Sequence, residues 1–93
     1  MRELTLKDFA GYLGESHTVE AGGASFPLRL EQAQELPGSG RAGGSFRLEF
    51  RGPFEPVLPQ AIYNFRRGGE AFEMFIVAIG RDVEGTRYEA IFF

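Results

Sequence analysis

The sequence predicts one mainly β (α+β) domain of 93 residues, with about six antiparallel strands forming a small barrel or sandwich and one short N-terminal helix. Several segments alternate apolar and polar residues with the period of two that a half-buried strand requires. The 13 glycines, roughly twice the usual usage, lie mostly between these segments, where tight antiparallel connections need them. A helix-capping pattern precedes the first of these segments.

A short helix is predicted near the N-terminus, over about residues 6–13. Thr5 and Asp8 fit a capping box, in which an acidic side chain reaches back to the start of the helix. Leu4 and Phe9 occupy the positions of a hydrophobic staple around the same helix start. These two signals together predict where the helix begins.

The first half of the chain then changes to period-two spacing. His17 and Val19 point to one face of a first strand, and segment 21–24 is small and glycine-rich enough to turn. The second strand alternates Phe26, Leu28 and Leu30 with Arg29 and Glu31. From 32 to 36 the alternation loses its apolar face, which leaves two alternatives: a β-bulge, or an early exit into a loop over 37–44.

The second half repeats strand signals at short intervals. Segment 45–51 has the cleanest alternation, and strands follow at 60–66 and, after a hairpin turn, at 72–79. Strand 72–79 is apolar on both faces, so we expect it to be the central strand of the core, covered on both sides. A final strand spans 87–93, and we find no internal repeat along the chain.

Composition and charge exclude several classes of protein. The hydrophobic fraction of 43%, with ten Phe, argues against intrinsic disorder, and the absence of Cys excludes a disulfide framework. The N-terminus lacks an apolar segment, so we predict a cytoplasmic location and no membrane partner. The net charge of -3 disfavours nucleic acid as a partner, although segment 41–67 carries five arginines against two glutamates.

No catalytic residue, metal ligand or cofactor is predicted. His17 is the single histidine, which excludes histidine-rich metal sites, and we interpret it as an ordinary strand residue. Segment 38–43 matches the glycine pattern G-x-G-x-x-G, but a strand and not a helix follows it. Phosphate binding by that pattern needs a helix N-terminus, so we interpret the segment as a loop. We also predict a non-enzyme, because no pair of titratable residues has a spacing typical of a catalytic site.

Two segments are candidate partner-binding sites. The first places proline at every third position, the spacing of polyproline II ligands, and its candidate contacts are Pro53, Phe54, Pro56 and Pro59. Its alternative role is a stiff connection between strands. The second is the end of the last strand, where Ile91 and Phe93 lie beside unpaired edge amides and predict a homo-oligomer through that edge. Alternatively, the N-terminal helix covers this face.

A small-ligand-binding β-barrel is the alternative function. Gln60, Tyr63 and Tyr88 would supply polar groups inside an otherwise aromatic pocket. The competing interpretation is that these tyrosines belong to the core and only their hydroxyls reach the surface.

The order of several motifs along the chain carries a family resemblance. The motifs are Leu6-x-x-Phe9, the strand from Phe46 to Gly52 with its proline, Gln60-x-x-Tyr63, Met74 to Val77 and Tyr88 to Phe92. This order resembles a family of small bacterial domains of unknown function, sometimes encoded beside phage-tail-collar-like proteins. The resemblance supplies no catalytic residues. It implies an assembly partner or component of a phage-tail-like apparatus, and we predict a non-enzymatic protein–protein interaction module.

Overall fold

The computed structural model describes residues 4–37 and 44–93, in which the chain forms one short helix and six antiparallel strands. The elements are α1 (Lys7–Ala10), β1 (Ser16–Ala21), β2 (Ala24–Leu36), β3 (Ser45–Gly52), β4 (Ala61–Arg67), β5 (Glu70–Asp82) and β6 (Gly85–Phe92). The strands close into a barrel in the order β1-β2-β3-β6-β5-β4. The predicted fold class is confirmed, and of its two forms the barrel is the one observed. The glycine motif over 38–43 lies outside the described residues.

The helix is shorter than predicted, although its start has the predicted contacts. The Thr5 backbone N–H donates to the Asp8 carboxylate at 2.8 Å, as in a capping box. The helix ends at Ala10 because the following residues join the sheet: the Gly14 N–H donates to the Leu30 carbonyl at 2.8 Å. Residues 11–14 therefore form turns that lead into β1.

The barrel interior is filled by the inward-facing residues of all six strands. The buried apolar residues are Leu4, Phe9, Val19, Leu28, Leu30, Phe46, Leu48, Phe50, Leu58, Phe65, Met74, Ile76, Tyr88 and Ala90. Phe9 enters the barrel end from α1, with its ring centroid 5.6 Å from that of Phe72 and 6.1 Å from that of Phe46. The helix therefore covers one end of the barrel.

Two long strands, β2 and β5, bend and pair with different neighbours along their length. The first part of β2 pairs with β1, and the part from Arg29 to Leu36 pairs with β3. The register shifts between Leu30 and Gln32, so the bulge is the correct alternative for this segment and the early exit is wrong. In β5 the register shifts between Ala78 and Gly80. These bulges let one sheet curve until it closes.

The two halves of the barrel repeat each other. Hairpin β1–β2 turns at Gly22-Gly23 and hairpin β4–β5 turns at Gly68-Gly69, an offset of 46 residues from Gly22 to Gly68. Val19 pairs directly with Phe65, its own equivalent at that offset. The registers therefore relate the halves by an approximate two-fold axis, although the sequence shows no internal repeat.

The strands β3 and β6 complete this symmetry. They pair with each other, and Glu49 lies directly opposite Glu89, an offset of 40 residues. The offset falls from 46 to 40 because the connection over 37–44 has eight residues, whereas the equivalent connection over 83–84 has two. Few identical residues survive between the halves, which explains why the sequence alone shows no repeat.

One expectation about strand environment is wrong. Strand β5 is not covered on both sides: Phe75 is 50% exposed, because in a closed barrel only the inner face of a strand is buried.

Strand β6 lies between two strands for part of its length. It pairs with β3 from Thr86 to Phe92, but with β5 only from Gly85 to Glu89. Its pairing with β5 therefore ends before Ile91, and association through the end of this strand stays a prediction.

The alternative that α1 covers the C-terminal strand is also wrong. Ile91 and Phe93 are 55% and 70% exposed. The helix instead buries Phe9 inside the barrel end, beside His17 and Phe46. The apolar side chains at the end of the chain thus remain on the outer surface.

Candidate interaction surface

The predicted ligand-binding tyrosines meet at the connection between β3 and β4. The buried Tyr88 hydroxyl accepts a hydrogen bond from the Leu58 N–H at 2.8 Å, and the Tyr63 hydroxyl donates to the Pro59 carbonyl at 2.5 Å. Burial, and then the neighbouring Tyr88, raises the pKa of Tyr63, which keeps its hydroxyl protonated as a donor. Gln60 is exposed. Both hydroxyls hold this connection, and ligand binding by these residues stays a prediction.

The proline-rich segment is fastened to the barrel. The Arg81 guanidinium lies 3.7 Å from the centroid of the Phe54 ring, and its Nε donates to the Phe54 carbonyl at 2.9 Å. Leu58 is buried, whereas Pro56 and Pro59 are exposed and Pro53 is half-buried. These contacts fit a stiff structural connection, and partner binding by this segment stays a prediction.

Two arginines of the central segment, Arg47 and Arg51, are paired with carboxylates, most of them from other strands. Glu49 and Glu89 lie opposite each other, and Arg47 contacts them at 3.2 and 2.7 Å. Arg51 contacts Glu31 at 3.0 Å. The positive excess of segment 41–67 therefore does not form an unopposed basic surface at these positions, because sheet pairing supplies the anions.

His17 is buried and has hydrogen-bond partners on both ring nitrogens. Arg67 donates to Nε2 at 3.1 Å, so the proton lies on Nδ1, which donates to the Glu15 carbonyl at 3.2 Å. The Arg67 guanidinium also stacks on Tyr12, 3.7 Å from its ring centroid. Burial, and then the charge of Arg67, lowers the pKa of His17. The imidazole is a neutral structural group at the barrel end.

This environment predicts a specific pH dependence of stability. Because the folded state lowers the pKa of His17, its contribution is fully present above the unfolded value near 6.5 and is lost as pH falls through the lower folded pKa. We expect the free energy of unfolding, measured with urea, to fall between about pH 7.5 and pH 5.

The variant His17→Gln is the matched control, because His17 is the single histidine of the chain. Its free energy of unfolding should change much less over the same interval. The carboxyl groups whose pKa is lowered, such as Glu31 beside Arg29, lose their contribution at lower pH. A wild-type stability that rises on acidification, or the same loss in the variant, would contradict the assignment.

The outer surface of β4, β5 and β6 carries a contiguous set of apolar side chains, here called the apolar face: Ile62, Phe75, Val77, Ile91 and Phe93. Ile62 pairs directly with Phe75 across two strands, and Val77 follows Phe75 on the same side of β5. Val77 pairs with Glu89, so Ile91 lies diagonally beside it. Ile62 is 64% exposed, more than any other large apolar residue of these three strands.

The equivalent positions in the other half of the barrel are polar. The two-fold relation places Ser16, Arg29, Glu31 and Arg51 where the apolar face has Ile62, Phe75, Val77 and Ile91. This polar counterpart is an ion-pair cluster, in which Arg29 and Arg51 both contact Glu31. Ser16, Arg29 and Arg51 of this counterpart also line a shallow pocket of about 240 Å³, together with Pro27, Gly52, Pro53 and Glu84. The fold thus accepts polar residues at these outer positions.

Sequence reasoning found only part of the apolar face. Ile91 and Phe93 were predicted as partner contacts, and the structure leaves both exposed. Ile62, Phe75 and Val77 were missed. The sequence does show that strand 72–79 is apolar on both faces. This pattern fits a central strand covered on both sides and equally a barrel strand with an exposed apolar outer face. Closure of the barrel decides between these two alternatives.

The chain matches, over residues 4–92, a family described as Domain of unknown function (DUF6916). The chain belongs to this family. The match confirms the predicted membership of a family of small domains of unknown function. No curated protein and no solved structure matches the chain.

The described residues of this DUF6916 domain contain neither a metal-binding cluster nor a membrane-spanning helix. In 4–37 and 44–93 there is no group of three or more His, Asp and Glu side chains arranged to hold a metal ion. Over the same residues, no helix is long and apolar enough to cross a membrane.

Proposed function

We propose that this domain is a non-enzymatic protein–protein interaction module that docks through its apolar face. Its location is cytoplasmic, and its role is that of an assembly partner or component of a phage-tail-like apparatus, which only the family resemblance implies. The neutral, hydrogen-bonded state of His17 supports a non-enzymatic role, since both ring nitrogens are already engaged.

One observation carries the proposal: the contrast between the apolar face and its polar counterpart. Both halves of the barrel bury similar apolar residues inside, so the core does not require Phe75 and Ile91 on the outside. The counterpart shows that Arg is accommodated at both equivalent positions. Exposed apolar side chains that the fold does not require, grouped on one face, are typical of an interaction site.

Site-specific photo-crosslinking in the cells that make the protein tests this proposal. A benzophenone amino acid replaces Phe75 on the apolar face or, as a matched control, Phe54 on the proline segment. The two side chains are similarly exposed, at 50% and 49%. We expect protein adducts from position 75 and not from position 54.

A second variant makes the result specific. Adding Ile62→Ser, which installs the residue of the polar counterpart beside position 75, should remove the adducts while leaving the thermal midpoint nearly unchanged. Adducts from position 54 alone would indicate that the partner binds the proline segment and not the apolar face. Without any adduct at position 75, the apolar face has no partner in the cell and the proposal fails.

A further inference from the structure

We infer that the occupant of the apolar face is a second copy of this chain, so that two barrels form a symmetric dimer face to face. This inference rests on the proposed function, which requires only that some protein docks there. It differs from the predicted edge-to-edge association, because the two barrels would meet through outward-facing side chains of β4, β5 and β6 and not through backbone pairing.

The exposed area agrees with a weak dimer. Ile62, Phe75, Ile91 and Phe93 are exposed by 64%, 50%, 55% and 70%. With about 200 Å² for a fully exposed aromatic side chain, these residues present on the order of 450 Å² per copy. Two copies together remove roughly 900 Å², and the surrounding polar rim brings the total near the ~1,200 Å² lower limit of specific interfaces. A dissociation constant in the micromolar range follows from such an area only with good packing.

The charges around the face favour a second copy over a strongly charged partner. Arg66 pairs with Glu20 at 3.0 Å, and Arg47 pairs with Glu89 at 2.7 Å. These two rim cations are neutralised within one chain, so they offer no free positive charge that would attract a strongly acidic partner.

Symmetry adds the last argument. A mainly apolar face can pack against an identical face, and two-fold dimers that bury the same surface on both subunits are the commonest oligomers. In such a dimer, Phe75 and Ile62 of each copy lie against apolar residues of the other copy. Arg at either position would place a charge in that contact and oppose it.

Sedimentation equilibrium of the purified full chain tests the inference directly. Over about 10 to 500 µM, the weight-average mass should rise from one chain toward two. Phe75→Arg should raise the dissociation constant at least about tenfold. Val83→Ser, a change at the most exposed apolar residue (97%), which lies in the β5–β6 turn outside the face, should leave the dissociation constant unchanged.

Each outcome bears on the inference. The inference is overturned if the wild-type chain stays monomeric over this range. It is also overturned if the Phe75→Arg variant folds and still forms the dimer. If Phe75→Arg fails to fold, Ile91→Arg replaces it, because the equivalent position already holds Arg51. If the chain is monomeric but photo-crosslinks from position 75 to a different protein, the self-association fails and the proposed function stands. If neither dimer nor adduct forms, both fail.

Discussion

Gly85→Ala is expected to destabilise the protein severely. Gly85 begins β6 with φ +130°, a conformation that side chains with a Cβ rarely adopt. A Cβ at this position would overlap the carbonyl oxygen of Gly52, which is the last residue of the neighbouring strand β3. Neither backbone can move aside without breaking the paired strands on both sides of β6.

The expected loss is about 4 kcal/mol or more, because backbone strain and a steric overlap act together. Small domains are stable by only ~5–15 kcal/mol, so the loss removes a large part of the available stability. Urea unfolding followed by circular dichroism measures it. For a domain of this size, 1 kcal/mol corresponds to roughly 4–8 °C, so the thermal midpoint should fall by well over ~15 °C.

Gly68→Ala is the matched control. Gly68 also has a positive φ, +59°, but a Cβ there would meet no atom within 4 Å. Its variant should lose only the ~1 kcal/mol that a left-handed conformation costs an alanine. Equal losses in the two variants would show that conformation alone, and not the approach to Gly52, makes position 85 sensitive.

Most of the fold could be predicted because it depends on local signals. The alternation in β3 and the Gly68-Gly69 turn each specify their element with few neighbours involved. Closure of the barrel could not be predicted in this way. It depends on bulges at Leu30 and Ala78, whose position is set by how the strands meet across the whole sheet.

The candidate site was harder to predict than the fold for the same reason. Phe75 and Ile79 read as inner residues of a central strand, since a local pattern cannot say which face a neighbour covers. Likewise, Arg47 reads as part of a basic segment until Glu89 is seen to lie beside it, 42 residues further along the chain. Contacts between distant strands decide both charge and exposure here.

The approximate two-fold relation provides an internal comparison that a single barrel rarely offers. The two halves bury equivalent residues, such as Leu28 and Met74, but present different outer surfaces. Arg29 and Phe75 occupy equivalent outer positions in those halves, and only one of them is apolar. Differences between the halves at such positions reflect demands on the surface rather than on the core.

The helix α1 should contribute to stability far beyond its four residues, and Phe9→Ala tests this. Phe9 is fully buried, and its ring lies among those of Phe46, Phe72 and His17. Removing it leaves a cavity at the barrel end that the surrounding paired strands cannot close. We expect a loss of about 3–5 kcal/mol in the free energy of unfolding, the usual cost of truncating a buried phenylalanine.

The pH dependence of stability tests whether Phe9 shields His17 from water or only fills space in the core. Without the Phe9 ring, water reaches His17, and the lowering of its pKa by burial should weaken. The loss of stability between about pH 7.5 and pH 5 should therefore be smaller in Phe9→Ala than in the wild type. Leu13→Ala, at a residue of the same N-terminal segment that is 53% exposed, should cost below ~1 kcal/mol and leave the pH dependence unchanged. If Phe9→Ala also cost less than ~1 kcal/mol, the barrel end would stay closed without the helix.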